Sequence, residues 1–311
     1  MNKHTEYNSL FKGLKIILIS ISILCLVAVQ ARATSYILAK SIDLLPLIGD
    51  DGSIEVDVVG DELYVANWVQ DRYFRIDSVT GSLVGSFALG SDILMDNHGS
   101  EYNPITGRIL HASDDDAGGN PGYDAFFETN TSGVLVKGPY DLFGIGKNSE
   151  DPNALTVDPF TGRVWVSAVS SPGGITEINP NDGTILNQIS LGLLGSAWAL
   201  GFNPNSGKLV FADSNGVIWE IAPDGSGLLR LFDPGAGPIY GMALTPTGDM
   251  AILDFAAPSY GIPGPGRILL YDSSDDGDSV FTTTPVPEPA TLILLGSGVM
   301  GLVAFRRMFR R

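Results

Sequence analysis

The middle of the chain repeats one pattern of short apolar segments separated by turn residues. The clearest copy runs from Trp198 to Phe232: an apolar strand enters an Asn-Pro-Asn-Ser-Gly turn, a second strand leaves it, a third follows a short loop, and Pro-Asp-Gly leads into a fourth. Similar segments lie at 54–87, 98–113, 153–189 and 240–271. The turn residues fall at 59, 103, 158, 203 and 245, at intervals of 44, 55, 45 and 42 residues. The chain therefore contains an internal repeat.

Four strands per copy and a period in the forties predict an all-β fold, a single β-propeller of four-stranded blades. Five blades are visible, and a sixth forms if 34–53 and 272–281 combine into a blade of their own instead of a closing element. A β-sandwich is the alternative, but its strands do not repeat as quartets. The segment 202–213 resembles the YWTD and NHL propeller repeats, which implies a fold and not a function.

The N-terminal segment 1–33 has the features of a secretory signal peptide. Basic residues precede the apolar run 16–29, and Ala31-Arg32-Ala33 follows it as a small-residue cleavage site. We expect signal peptidase to cut there, with an uncleaved anchor helix as the alternative. The mature domain is then expected to span 34–284.

The C-terminal segment 285–311 has three parts in a fixed order. Pro287-Glu288-Pro289 is followed by the apolar run 292–305, which predicts a transmembrane helix, and by a terminal cluster of four arginines. This order resembles the PEP-CTERM sorting signal of Gram-negative bacteria. The resemblance implies that the exported protein stays at the inner membrane until an exosortase cuts near Pro-Glu-Pro. Release to the outer surface or the extracellular polysaccharide matrix follows, and an ordinary C-terminal membrane anchor is the alternative.

Charge and cysteine content exclude several functions. The segment 34–284 has 10 basic and 33 acidic residues, a formal net charge of −23, which repels phosphate backbones and argues against nucleic-acid binding. The single cysteine, Cys25, lies in the predicted signal peptide, and only His98 and His111 remain as histidines after it. A thiolate nucleophile and a cysteine-ligated zinc are therefore excluded from the mature domain, and no complete catalytic set is visible.

Alignment of the repeats predicts which side chains share one place in the propeller. Five positions before each turn residue stand Ile54, His98, Asn153, Trp198 and Tyr240. These side chains are expected to surround one mouth of the central channel. One interpretation is a shallow ligand-binding ring, in which Trp198 and Tyr240 stack and His98 and Asn153 form hydrogen bonds. The other interpretation is that they merely line a wet pore.

Two further patterns suggest a metal. Asn153 resembles the asparagine ligand of gluconolactonases and regucalcin, which are propellers with a divalent cation on the axis, and a hydrolase of that type is the alternative function. Tyr240 stands where that family has its aspartate, and Glu55 or Glu101 is only a forced match for its glutamate. Separately, an acidic Gly-rich loop predicts a calcium site, with a solvated loop as the alternative; its residues are Asp114, Asp115, Asp116 and Asp124.

Together these patterns predict an exported, non-catalytic binding or structural propeller. Its predicted partners are signal peptidase and an exosortase during export, and then an extracellular polysaccharide or a surface protein. No resident cofactor other than calcium is expected.

Overall fold

The computed structural model describes residues 36–49, 53–67, 70, 72–89, 97–113, 124–143, 152–168, 174–254, 266–273 and 281, and of Asn97 and His98 the backbone alone. The predicted signal peptide and the C-terminal segment lie outside these residues. The described chain forms five antiparallel sheets of four strands each, so the predicted propeller is confirmed, with five blades.

The first four blades use four consecutive strands each, in the order inner to outer. Blade 1 is β2 (Ser53–Val59), β3 (Glu62–Asn67), β4 (Arg72–Asp77) and β5 (Leu83–Ala88). Blade 2 is β6 (Asn97–Asn103), β7 (Arg108–Ser113), β8 (Ala125–Thr129) and β9 (Leu135–Asp141). Blade 3 is β10 (Pro152–Val157), β11 (Val164–Ala168), β12 (Gly174–Ile178) and β13 (Ile185–Ile189). Blade 4 is β14 (Ala199–Asn203), β15 (Lys208–Ala212), β16 (Ile218–Ile221) and β17 (Leu229–Phe232).

Blade 5 joins the two ends of the domain. Its inner strands are β18 (Ile239–Leu244), β19 (Met250–Asp254) and β20 (Arg267–Ser273), and its outermost strand is β1 (Tyr36–Asp43). β1 pairs antiparallel with β20 from Tyr36 opposite Ser273 to Asp43 opposite Arg267. The segments at the two ends of the domain therefore complete the fifth blade, and they do not form a sixth.

The repeated turn has a common local cause. The side-chain oxygen of the turn residue accepts a hydrogen bond from the amide two residues later in Asn103, Asp158 and Asn203, at 2.8–2.9 Å. The intervening proline fixes its own φ, and the glycine that ends the turn has a positive φ, for example 67° at Gly207. Each turn thus returns the chain from the inner strand to the second strand of its blade.

The core consists of apolar layers between adjacent blades. One cluster joins blade 1 to blade 5 through Val56, Leu63, Leu253 and Ile268, and similar clusters fill the other four interfaces. Each blade therefore buries its two apolar faces only by standing between neighbours, which closes the ring.

Within the described residues, only short helical turns interrupt the strands. α1 (Leu45–Ile48) follows β1, and a 3-10 turn spans Gly192–Leu194. Within the described parts of the chain no helix is long and apolar enough to cross a membrane.

Candidate functional site

The five inner strands stand around the axis, each against the inner strands of the two adjacent blades. At one end of the axis, the start of these strands, lie the residues that the repeat alignment placed together. We call this end the aromatic mouth. Trp198 and Tyr240 meet there edge to face, with ring centroids 5.1 Å apart and an interplanar angle of 79°. Both side chains are partly exposed. The two rings thus form a differently oriented, partly exposed aromatic pair.

Asn153 has a supporting position at the aromatic mouth. Its side chain is 6% exposed, and its Nδ2 donates a hydrogen bond to the backbone carbonyl of Trp198 at 3.3 Å. This bond connects blade 3 to the residue that precedes the inner strand of blade 4. The Asn153 side chain is therefore positioned to hold Trp198 and is less accessible than a hydrogen-bonding group on the surface.

The aromatic mouth is also a site of regular backbone distortion. The pairing of the inner strand with the second strand shifts register at Ile54, His98, Asn153 and Tyr240, one residue in each of four blades. A bulge changes the direction of the side chain it contains, and bulges are common next to binding sites. In blade 4 the equivalent residue is Trp198, whose amide donates to the carbonyl of Ala212 at 2.8 Å. The His98 backbone thus lies in the ring, whereas its side chain is outside the described atoms.

Below this mouth, three carboxyl groups lie on the axis. Glu55 and Asp57 on β2 are 1% and 2% exposed, and Glu101 on β6 is 8% exposed. Glu55 Oε1 accepts hydrogen bonds from the amides of Val56 at 3.0 Å and Met242 at 3.1 Å, so it connects β2 to β18. Asp57 Oδ1 accepts from the amide of Val58 at 2.6 Å. One oxygen of each carboxyl has no hydrogen-bond partner within the described residues.

Small residues leave room for these carboxyl groups. A Cβ on Gly241 would lie 2.6 Å from the Val56 nitrogen and 2.7 Å from Glu55 Oε1, and one on Gly99 would lie 2.6 Å from the Leu155 nitrogen. The equivalent residues of blades 3 and 4 are Ala154 and Ala199, both fully buried. At this level the axis is therefore packed with side chains instead of being an open pore.

Burial changes the protonation of this group. Desolvation raises the pKa of Glu55 well above its usual value, against the opposing effect of the amide hydrogen bonds. Desolvation also raises the pKa of Asp57 to about 7. The pKa of Glu101 is raised well above its usual value, first by desolvation and then by the charge of Asp57. Burial therefore disfavours the charged form of all three carboxyl groups.

His111 belongs to the core and not to a site. Its Nδ1 lies 3.2 Å from the Tyr73 hydroxyl and its Nε2 lies 2.8 Å from Thr129 Oγ1, and its ring stacks on Phe127. Burial lowers its pKa to about 3, so the ring is neutral at physiological pH. It joins blades 1 and 2 as a hydrogen-bonded core residue.

The structure describes the residues of the two predicted metal sites to different extents. Asp114, Asp115 and Asp116 lie outside the described residues, and Asp124 is buried immediately before β8, where its carbonyl accepts from the amide of Leu142. Calcium binding by this loop stays a prediction. In the described ranges no group of three or more His, Cys, Asp or Glu side chains is arranged to hold a metal ion. The hydrolase alternative also stays a prediction, and elemental analysis for bound metal tests it.

The sequence analysis did not predict the three carboxyl groups on the axis. It considered Glu55 and Glu101 only as forced metal ligands and gave Asp57 no role. The available signal was the alternation in Ser53–Val59, where two acids occupy every second position of an otherwise apolar inner strand. Such a pattern is unusual for a buried strand and indicates that one face points to a polar interior.

Comparison with known proteins adds the identity of the tail. Residues 285–311 match the PEP-CTERM protein-sorting motif. Among curated proteins none matches the chain.

Solved structures similar to this chain share little sequence with it. The WD40 propeller domain of Doa1 is 14% identical, with a TM-score of 0.42 over 74% of this chain and 65% of that one. A protein of unknown function from Bacteroides caccae is 15% identical, with a TM-score of 0.47 over 71% of this chain and 78% of that one. Kuenenia stuttgartiensis hydrazine synthase is 13% identical, with a TM-score of 0.44 over 67% of this chain and 57% of that one. The chain thus spans less than two thirds of the Doa1 domain and of the hydrazine synthase chain.

The sheets and the matched tail together describe the molecule. It is a five-bladed β-propeller that ends in a PEP-CTERM sorting motif, and this motif implies export and membrane-associated sorting by an exosortase.

Proposed function

We propose that this protein is a glycan-binding propeller that is released to the outer surface or the extracellular polysaccharide matrix after exosortase processing. The observation that carries the proposal is the aromatic mouth, where Trp198 and Tyr240 stand edge to face and remain partly exposed. Sugar rings pack their C–H faces on aromatic side chains, and their hydroxyls exchange bonds with nearby polar groups. The sorting motif supports the matrix destination, and the aromatic mouth supports a glycan as the ligand.

The construction of the mouth supports a binding role. Asn153 Nδ2 holds the backbone carbonyl of Trp198, and the neighbouring inner strands are bulged at the equivalent residues. Both features fix the direction of the side chains before a ligand arrives, which reduces the entropy lost on binding. A plain pore lining gains nothing from such positioning.

Charge decides which glycans are preferred. The chain has a formal net charge of −17, so uronate-containing polymers are repelled and neutral or basic ones are favoured. Trp198 and Tyr240 are only partly exposed, and each sugar hydroxyl trades a bond to water for one to protein. We expect dissociation constants of about 0.1–1 mM for a single short oligosaccharide.

The test is isothermal titration calorimetry of the full chain with a neutral β-glucan hexasaccharide and with a hexauronate. We expect the neutral sugar to bind more tightly and Trp198→Ala to weaken it at least tenfold, which is about 1.4 kcal/mol. Trp219→Phe is the matched control: Trp219 lies in the same blade and donates from Nε1 to Asp213 Oδ2 at 3.0 Å. Equal affinities of wild type and Trp198→Ala would contradict the proposal.

A further inference from the structure

At the end of the axis opposite the aromatic mouth the propeller contains a cavity of about 270 Å³. We call it the hairpin pocket, because the turns between inner and second strands surround it. Each blade contributes its equivalent inner-strand side chain to the wall: Val58, Tyr102, Val157, Phe202 and Leu244. The next layer outward is Gly60 in blade 1 and a proline in each of the other four blades. Both layers are rigid and apolar, so the pocket exists before any ligand arrives.

One acidic group lies in this wall, beside the hydroxyls of Tyr102, Thr245 and Thr247. Glu101 lines the pocket, is 8% exposed, and its Oε2 has no hydrogen-bond partner within the described residues. A buried carboxyl oxygen without a partner is costly for the folded protein. A hydrogen-bond donor that reaches the Glu101 carboxyl from the pocket stabilises it, and a cationic donor is favoured further because Glu55 and Asp57 lie close enough to interact electrostatically with Glu101.

The walls define the rest of the ligand. Tyr102 and Phe202 provide aromatic surface beside the acid, and such surface attracts an organic cation through its ring electrons. A metal ion fits poorly, because the other side chains of the pocket are aliphatic, aromatic or hydroxyl groups. A volume of about 270 Å³ is near the lower end for ligand pockets and accommodates a molecule of roughly ten non-hydrogen atoms.

We propose that the hairpin pocket binds a small organic ammonium ion, whose charged nitrogen pairs with the Glu101 carboxyl while its apolar body fills the space between the five blade side chains. This site is separate from the aromatic mouth and does not depend on glycan binding there. Of the three carboxyl groups on the axis, Glu101 alone lines the pocket.

Binding is coupled to proton release. Burial raises the pKa of the Glu101 carboxyl, and a bound ammonium favours its ionised form, so binding releases a proton from every Glu101 that is protonated in the free protein. The titratable groups facing Glu101 are Asp57 and Glu55 on β2. Glu101 also faces Thr156 on β10 and pairs with Leu110 on β7, and neither of these residues titrates. Affinity therefore rises with pH as long as Glu101 is protonated in the free protein.

The experiment is calorimetry of the purified full chain with phenethylammonium and with its neutral isostere 2-phenylethanol. At pH 7.5 we expect the ammonium to bind at least tenfold more tightly than the alcohol, and its measured heat to change with the ionisation enthalpy of the buffer because protons are released. Raising the pH from 6 to 8 is expected to strengthen ammonium binding and leave the alcohol unchanged.

Two variants decide whether Glu101 is responsible. Glu101→Gln removes the charge but keeps the shape of a protonated carboxyl, and we expect it to remove the preference for the ammonium. Glu62→Gln is the control: it removes the same charge from the surface, where Glu62 pairs with Arg75, and is expected to keep the preference. Equal affinities for the two ligands in wild type, or a preference that survives Glu101→Gln, would overturn the proposal. Loss of the preference in both variants would also overturn it, because it would reveal only long-range attraction by net charge.

Discussion

The two ends of the channel are built from the same five inner strands but differ in how their side chains are held. At the aromatic mouth the strands begin with bulges, and the residues are polar or aromatic, such as Asn153, Trp198 and Tyr240. At the hairpin pocket the strands end in tight turns, and the wall is apolar with prolines around it. The bulges at the strand starts change the direction of their side chains, whereas the regular turns at the strand ends surround a cavity. One repeat thus produces two chemically different surfaces.

Between these ends lie the acids of blades 1 and 2, of which Glu101 also lines the hairpin pocket. Blade 1 contributes Glu55 and Asp57, and the equivalent places in blade 4 are taken by Ala199 and Gly201. A five-fold repeat of large side chains would not fit around one axis, so the large residues of one blade require small residues in the others. The departure from repeat symmetry is a packing requirement.

The largest expected effect comes from filling that space. In Gly241→Val, the added Cβ alone would lie 2.6 Å from the Val56 nitrogen. The side chain would therefore force β18 away from β2. We expect a loss of more than about 4 kcal/mol of unfolding free energy, or no folded protein, because backbone cannot move aside cheaply. Urea unfolding followed by circular dichroism measures it.

The matched control is Gly85→Val in the outer strand β5, where nothing lies within 4 Å of an added Cβ. It is expected to change stability by less than about 1 kcal/mol, since valine favours strands. If Gly241→Val is as stable as Gly85→Val, the two ends are not separated by a tightly packed axis.

A smaller effect is expected from the protonation of Asp57. Burial raises its pKa to about 7 from a usual value of 3.8, so between these values the unfolded state releases a proton that the folded state keeps. Stability therefore falls as pH rises from about 4 to about 7, and the cost persists at higher pH. Asp57→Asn removes that cost, so relative to wild type the variant is expected to gain on the order of a few kcal/mol between pH 5 and pH 8.

Asp61→Asn controls for surface charge, because Asp61 is exposed in the turn that follows β2. Its stability relative to wild type is expected to change little over the same pH range, and 1 M salt is expected to erase any change because exposed charges are screened. If the two variants have the same pH dependence, Asp57 is not a buried acid.

The smallest expected effect is the absence of coupling between the two ends. Trp198→Ala is expected to leave the affinity for phenethylammonium within twofold of wild type, and Glu101→Gln to leave the affinity for the neutral hexasaccharide within twofold. Mutations at sites without shared partners act additively, and the two sites lie at opposite ends of the inner strands. Calorimetry of both variants with both ligands measures it, and a tenfold cross-effect would mean that the two ends form one site.

The position of the aromatic mouth was accessible from the sequence, because equivalent positions of a repeat occupy equivalent places in a propeller. The alignment therefore brought Trp198 and Tyr240 together without any structural information. It did not give the hydrogen bond from Asn153 to the Trp198 carbonyl, because that bond joins neighbouring blades across 45 residues. The hairpin pocket was missed altogether, since its wall residues read in the sequence as ordinary apolar strand positions.

By itself the sequence determined the features that arise from local chemistry. The strand–turn order follows from short-range alternation and from Asn-Pro and Gly at fixed offsets, and the sorting tail follows from the order of Pro-Glu-Pro, apolar run and arginines. Only the tertiary structure decided how β1 closes the fifth blade and how Glu55 reaches the Met242 amide, 187 residues away along the chain. Contacts of that kind depend on the ring being closed, because blade 1 meets blade 5 only after every other blade is in place. No local pattern contains that information.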